Sequence, residues 1–300
     1  MRTKKEIILD LCEGIRELRQ RIKNTSEERD ICLALLLSSL LSADPKTSAD
    51  SSAREIYDSF LYSVPNADSR EKLLLCRNIV NGETLGASEL DETILAITGD
   101  TAAGSHGKIA YVRNRYNDEA FSFFSERMQH AKPVVTTSFS EICEELADNR
   151  CEFGILPLEN TSDGKLFGFY SMLDSYELKI VDLCLVETED SAKNICYGLV
   201  SRGITKSRIS SLVKKNELCR FEFSVVSESA DFCSDIISAL GECGARLLKI
   251  SSVPLPYDDR LQRFFFTAEL RATHLYELAL YLSMEFSSYA FIGFYQAEQN

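Results

Sequence analysis

The chain of 300 residues has no CxxC pair and only three histidines, His106, His130 and His274. Its ten cysteines are scattered and form no Cys/His cluster in the sequence. A structural zinc centre needs closely spaced soft ligands, so neither a metal nor a cofactor is expected. Positive charge is scarce too. Lys and Arg number 33 against 46 acidic residues, giving a net charge of -13 and a pI near 4.9. That balance excludes nucleic acid and anionic membranes as natural partners, though not a local basic pocket for an anion. Long apolar runs are missing as well. The longest, Ile31 to Leu41, is too short to span a bilayer. The basic start Met1-Arg2-Thr3-Lys4-Lys5 leads into alternating charged and apolar residues, which is not the pattern of a signal peptide. Cys32, Cys76, Cys143 and Cys184 sit in apolar runs, where a thiol acts as a small hydrophobe. A reducing, cytoplasmic setting is therefore expected.

The apolar fraction of 45% is enough for a sizeable core, and the length suggests two or three domains. Residues 1–100 read as all-α. Ile7, Leu11, Ile15, Leu18 and Ile22 recur at helical spacing, and the pattern runs on to Leu41, a helix of roughly three dozen residues. Asp44-Pro45 ends it. Ser51 to Val64 reads as a second helix, and Asp68 or Ser69 caps a third through Ile79 and Val80. So few helices leave apolar surface exposed, which favours a homodimer.

Residues 101–107 are a small, Gly/Ser-rich linker. From 108 to 203, strands at Lys108–Val112, Pro133–Thr136, Phe153–Leu156, Leu178–Val186 and Cys196–Ser201 alternate with helices at Glu119–Gln129, Glu141–Asp148 and Gly164–Tyr176. This order implies a single α/β lobe with a mainly parallel sheet. The middle of the lobe is Gly154-Ile-Leu-Pro-Leu-Glu159-Asn160-Thr161-Ser-Asp-Gly164. It reads as a buried strand delivering polar groups to the sheet mouth, where open sheets bind ligands. Spacing alone reads rather as a strand-to-helix turn with Asn160 or Thr161 as N-cap, since caps are commoner than sites. After a basic, Ser-rich connection at 208–215, residues 217–300 show βαββαβ order, an α+β, ferredoxin-like domain.

These features together carry a resemblance. Lys108-Ile-Ala-Tyr, Phe123-Phe124, Ser138-Phe139, Gly154-Ile-Leu-Pro-Leu-Glu-Asn and Leu178-Lys-Ile-Val follow in the order seen in prephenate dehydratases. With the helical segment before and the ACT-like segment after, the whole chain resembles the bifunctional chorismate mutase–prephenate dehydratase family of phenylalanine biosynthesis. The resemblance implies chorismate, prephenate or phenylalanine as small-molecule ligand. It implies Glu159, Asn160 and Thr161 as dehydratase site residues, and Arg29 as a clamp for a dicarboxylate; Arg29 otherwise reads as a solvated helix charge. In the place of a glycine turn stand Arg113 and Arg115, which bind an anion or are surface charges. Ser252 and Pro254 remain of an effector motif whose charged pair is gone.

Several departures bear on chemistry. Cys12 and Leu40 stand where the mutase clamp has cations. Ile195, Cys196 and Tyr197 replace Thr-Arg-Phe. Leu178–Val186 runs almost directly into the returning segment, so the second wall of the dehydratase cleft is missing. The expectation is a homologue that binds a ligand or regulates without turnover; the alternative is an active dehydratase (a carbon–oxygen lyase) or mutase with rearranged sites.

Overall fold

A computed structural model describes residues 17, 20, 21, 24, 25, 53–81, 97–98, 107–128, 130–189 and 193–297. The chain divides into two compact units, residues 1–84 and 85–300. In the first unit, Glu17, Gln20, Arg21, Asn24 and Thr25 are helical. The rest of the long helix, with Cys12, Arg29 and Leu40, lies outside the described residues. Helices α1 (Ala53–Ser63) and α2 (Ser69–Asn81) follow. Asp68 caps α2 reciprocally. Its side chain accepts the Glu71 N–H at 2.9 Å, and Glu71 accepts the Asp68 N–H at 2.9 Å. This capping box satisfies two donors at the helix start. Tyr57 and Phe60 of α1 and Leu73, Cys76 and Ile79 of α2 are buried.

The second unit holds strands β1 (Ile97–Thr98), β2 (Lys108–Val112), β3 (Lys132–Thr136), β4 (Phe153–Asn160), β5 (Gly164–Lys165), β6 (Lys179–Val186), β7 (Ile195–Ser201) and β8 (Ile204–Thr205). Strands β9 (Leu218–Ser227), β10 (Arg246–Leu255), β11 (Asp258–Arg271) and β12 (Ala290–Gln296) complete it. Its helices are α3 (Arg115–Arg127), α4 (Phe139–Ala147), α5 (Phe167–Ser175), α6 (Lys206–Lys215), α7 (Cys233–Glu242) and α8 (Leu275–Glu285). One mixed sheet runs in the order β10-β11-β9-β12-β6-β7-β4-β2-β3, with β5 paired on β4. Strands β3, β2 and β4 are parallel, as expected from βαβ order. Strand β7 departs from that expectation and is antiparallel to both β4 and β6. The reason is the short link 187–194, because a parallel return needs a crossover of about a dozen residues or more.

Local rules set the other boundaries. Asn114 caps α3 by accepting the Asn117 N–H at 2.9 Å, so α3 begins before the expected Glu119. Ser138 caps α4, its side chain accepting the Glu141 N–H, so α4 begins before the expected Glu141. The basic stretch expected as a connection is helix α6, whose Ile209, Leu212 and Val213 share one face. In the last segment the βαββαβ order forms the strand series β10-β11-β9-β12, the ferredoxin-like arrangement. Phe221, Phe223 and Val225 occupy one side of β9, and Glu222 and Ser224 the other.

The segments 108–203 and 217–300 share this sheet through a narrow seam. Strands β12 and β6 pair in parallel at Gly293 and Ile180 alone. Helix α5 contributes to one core with both sides of the seam, combining Leu156, Leu158, Tyr170, Leu173 and Ile180 with Phe265, Ile292 and Tyr295. A Cβ on Gly293 would lie 2.7 Å from the Ile180 carbonyl oxygen, a backbone atom with no rotamer to yield. Gly293→Ala is expected to cost about 1–3 kcal/mol by overpacking. At about 2–4 °C per kcal/mol for a unit of this size, circular dichroism melting should show a clear fall in Tm.

Candidate functional site

The central stretch folds as a hairpin, which neither sequence reading anticipated. The Asn160 side-chain oxygen accepts the Asp163 N–H, and its amide donates to Asp163 Oδ2 at 2.8 Å. Gly164 adopts φ +76°, the left-handed conformation that favours glycine. The chain therefore reverses at once, and Glu159 pairs directly with Lys165 across the antiparallel β4–β5 ladder. Helix α5 starts only at Phe167, with no side-chain cap, so Asn160 and Thr161 are not its N-cap. Thr161 is exposed, and its N–H donates to the Asn194 carbonyl.

Lys165 is drawn inward. Its side chain is 0% exposed and lies 2.6 Å from Glu222 Oε2, whose side chain is 4% exposed. Lys165 Nζ is also 3.1 Å from Glu159 Oε1 and donates to the Tyr170 hydroxyl at 2.5 Å. Tyr295 and Tyr170 donate to the two oxygens of Glu222 at 2.5 and 3.1 Å. Glu159 Oε2 accepts from Lys249 of β10 at 3.0 Å. Five chain segments thus meet on one buried cation and one buried carboxylate. Burial pushes the Glu222 carboxyl up, but the Lys165 charge and the hydrogen bonds outweigh it and hold the group below its ordinary range. Burial pulls Lys165 down, and the charges of Glu222 and Glu159 outweigh that to hold it high. Burial, followed by the charges of Glu222 and Glu159, keeps the Tyr170 phenol well above its ordinary value, so it stays a donor.

Beside this cluster, between the C-terminal half of α5 and the sheet, lies a pocket of about 160 Å³. Tyr170 belongs to both. Cations Lys179 and Arg263, acids Asp174 and Glu177, and the apolar Phe265 and Phe291 line the pocket. Arg263 pairs with Asp174 at 2.9 Å. Lys179 donates to the Phe291 carbonyl at 2.9 Å across the seam. Burial lowers the Lys179 ammonium, partly offset by Glu177 and Asp174. An ammonium so placed gains most from an incoming anion.

The expected site residues are dispersed relative to this pocket. Arg115 is exposed and bound to Glu189 at 2.6 Å, and Arg113 is exposed at the end of β2. Ser252 and Pro254 are on the exposed side of β10. Glu159 is held by two lysines. Arg29 lies outside the described residues. Sequence reasoning missed Lys179 and Arg263 because nothing near either in sequence brings them together: Lys179 lies in β6, inside the Leu178-Lys-Ile-Val stretch, and Arg263 in the distant β11. It also missed a grouping of Cys243, His274 and Glu277, because Cys243 is remote in sequence from the other two.

Residues 113–191 match the family model for prephenate dehydratase. This dehydratase-like segment runs from the end of β2 to just beyond β6. No curated protein matches in sequence. Among solved structures, a quorum-quenching acylase, GqqA, is 17% identical, with TM-score 0.49, covering 65% of this chain and 97% of that one. Prephenate dehydratase from Streptococcus mutans is 17% identical, with TM-score 0.47, covering 64% and 99%. Prephenate dehydratase from Arthrobacter aurescens, solved in complex with L-Phe, is 13% identical, with TM-score 0.47, covering 63% and 90%.

Removing the buried cation tests the cluster. Lys165→Met is expected to destabilise by about 3–5 kcal/mol in urea unfolding, because Glu222 keeps its charge without its ion-pair partner. The pH profile has a definite sign. Glu222 titrates lower when folded, so its contribution is complete above its ordinary value of 4.5 and fades as pH falls through the lower folded value. Lys165 titrates higher when folded, so its share is complete below 10.5 and fades as pH rises beyond it. Glu222→Gln should flatten the acid limb of stability; an unchanged acid limb would assign it elsewhere.

Proposed function

We propose that this protein is a ligand-binding, non-catalytic homologue of the chorismate mutase–prephenate dehydratase family, using the pocket between α5 and the sheet for a small carboxylate with an apolar body. The pocket is the observation that carries the reading. Arg263 and Lys179 suit a carboxylate, Asp174 and Glu177 an ammonium group, and Phe265 and Phe291 an apolar side chain. An α-amino acid or a prephenate-like acid has this chemistry. A ligand carboxylate would take over Arg263 from Asp174 and release that acid for an amine.

Absence of turnover is supported by the β6–β7 connection, which is only residues 187–194. A dehydratase must donate a proton to the leaving hydroxyl while excluding water, and a site open on one side does neither well. At the returning strand, Ile195 and Cys196 offer neither a hydroxyl donor nor a guanidinium. A homodimer through the C-terminal segment fits the outer side of edge strand β10, where Leu248 and Ile250 are exposed beside Ser252 and Pro254. A reducing, cytoplasmic location fits the free thiols of Cys143, Cys151, Cys219 and Cys233.

Thermal shift with phenylalanine, tyrosine, prephenate and chorismate tests the reading. One of them should raise Tm, with the rise lost in Arg263→Ala and reduced in Lys179→Met, since stabilisation follows occupancy. Turnover of prephenate or chorismate with kcat above about 1 s⁻¹ would overturn it. Ile250→Lys is expected to shift a dimer to monomer in sedimentation equilibrium.

A further inference from the structure

We propose that Cys243, His274 and Glu277 form a binding site for one thiophilic divalent metal ion, of which Zn²⁺ is the natural choice. The site shares no residue with the pocket described above. Cys243 is the C-cap of α7, His274 ends the 3-10 turn before α8, and Glu277 lies in the first turn of α8. Their ligand atoms all fall within 4.8 Å of one another. Cys243 Sγ is 3.5 Å from Glu277 Oε1, and His274 Nδ1 is 2.7 Å from the same oxygen.

Modest adjustment of these separations admits tetrahedral zinc. With Zn–S near 2.3 Å and Zn–N and Zn–O near 2.0–2.2 Å, neighbouring ligand atoms stand roughly 3.3–3.6 Å apart. The sulfur–oxygen edge is already of that length. The nitrogen–oxygen edge is a shared proton's length, and replacing that proton with a metal opens it by about half an ångström.

The surroundings are built for a cation. Glu277 is a carboxylate with 7% of its side chain exposed, in the first turn of α8, where the helix field favours negative charge. Cys243 closes the carboxyl end of α7, where the helix field favours positive charge. Gly244, at φ +61°, turns the chain away, and its N–H is directed to the Gly241 carbonyl, which fixes the position of Cys243. The His274 side chain is 33% exposed, which leaves a route for the metal and room for water as fourth ligand. Three donors of different softness, sulfur, nitrogen and oxygen, suit Zn²⁺ or Co²⁺ better than Ca²⁺ or Mg²⁺. Placed between the ends of the two helices that cover one side of the ferredoxin-like sheet, the ion would pin α7 to α8.

The test uses the full chain, stripped with a chelator and then titrated with Co²⁺ and with Zn²⁺ against a chromophoric chelator. Expected are one equivalent of tight binding, a thiolate-to-cobalt charge-transfer band, and a higher Tm with Zn²⁺. Cys243→Ser should abolish the band and weaken Zn²⁺ at least tenfold; His274→Ala, at a partly exposed position that tolerates truncation, should weaken it similarly. Cys219→Ser is the control for adventitious thiol binding and should change neither. No band and no retained Zn²⁺, or binding unaltered in both site variants, would overturn the proposal and leave the three residues as an ordinary hydrogen-bonded helix start.

Discussion

The buried pairing of Lys165 with Glu222 is the constraint on which the arrangement of the second unit depends. An ammonium withdrawn from water costs several kcal/mol unless carboxylates and hydroxyls replace its hydration. Here the replacements come from distant stretches of chain: Glu159 across the hairpin, Tyr170 from the next helix, Glu222 from β9 and Tyr295 from β12. None can leave without stranding a charge. The seam between β6 and β12 contributes one paired position, so the polar cluster and the shared apolar core around Phe265 hold the two segments together.

This dependence explains why the hairpin matters more than its polar residues first suggest. Asn160 and Gly164 set the reversal, the reversal puts Lys165 opposite Glu159, and the side of the strand on which it falls directs it into the sheet. Tyr170 then joins the charge cluster through its hydroxyl and also lines the pocket. Filling the pocket would press on a side chain that is also a donor to Glu222. In the proposed reading, ligand binding and the stability of the seam are physically linked.

Much of the fold was legible because it rests on local rules. Strand and helix order, the caps at Asp68 and Ser138, and the βαββαβ pattern all follow from spacing and side-chain chemistry near in sequence. The antiparallel course of β7 was written in the shortness of 187–194, and helix α6 in the spacing of Ile209, Leu212 and Val213; basic and serine content obscured the second. The site was much less legible. The roles of Glu222, Lys179 and Arg263 depend on residues remote in sequence: Lys165 and Glu222 are separated by 57 positions, and Lys179 donates to a carbonyl 112 positions away. Cys243 and Glu277, 34 positions apart, show the same difficulty. Arg113 and Arg115 were conspicuous in the sequence because they stand together, yet Arg115 is neutralised by Glu189 at the surface.

The continuous sheet also limits how this chain can be divided. A cut between α6 and β9 would leave a C-terminal piece in which Glu222 faces solvent without its lysine and the Phe265 side of the sheet loses its covering helix. The complementary piece would leave Lys165 open to water with one of its two carboxylate partners gone. Fragments chosen from the apparent module boundaries would then be poor surrogates for the intact polypeptide, and exchange of the C-terminal module between relatives would succeed only where the lysine, the carboxylate and the overlying tyrosine travel as a set.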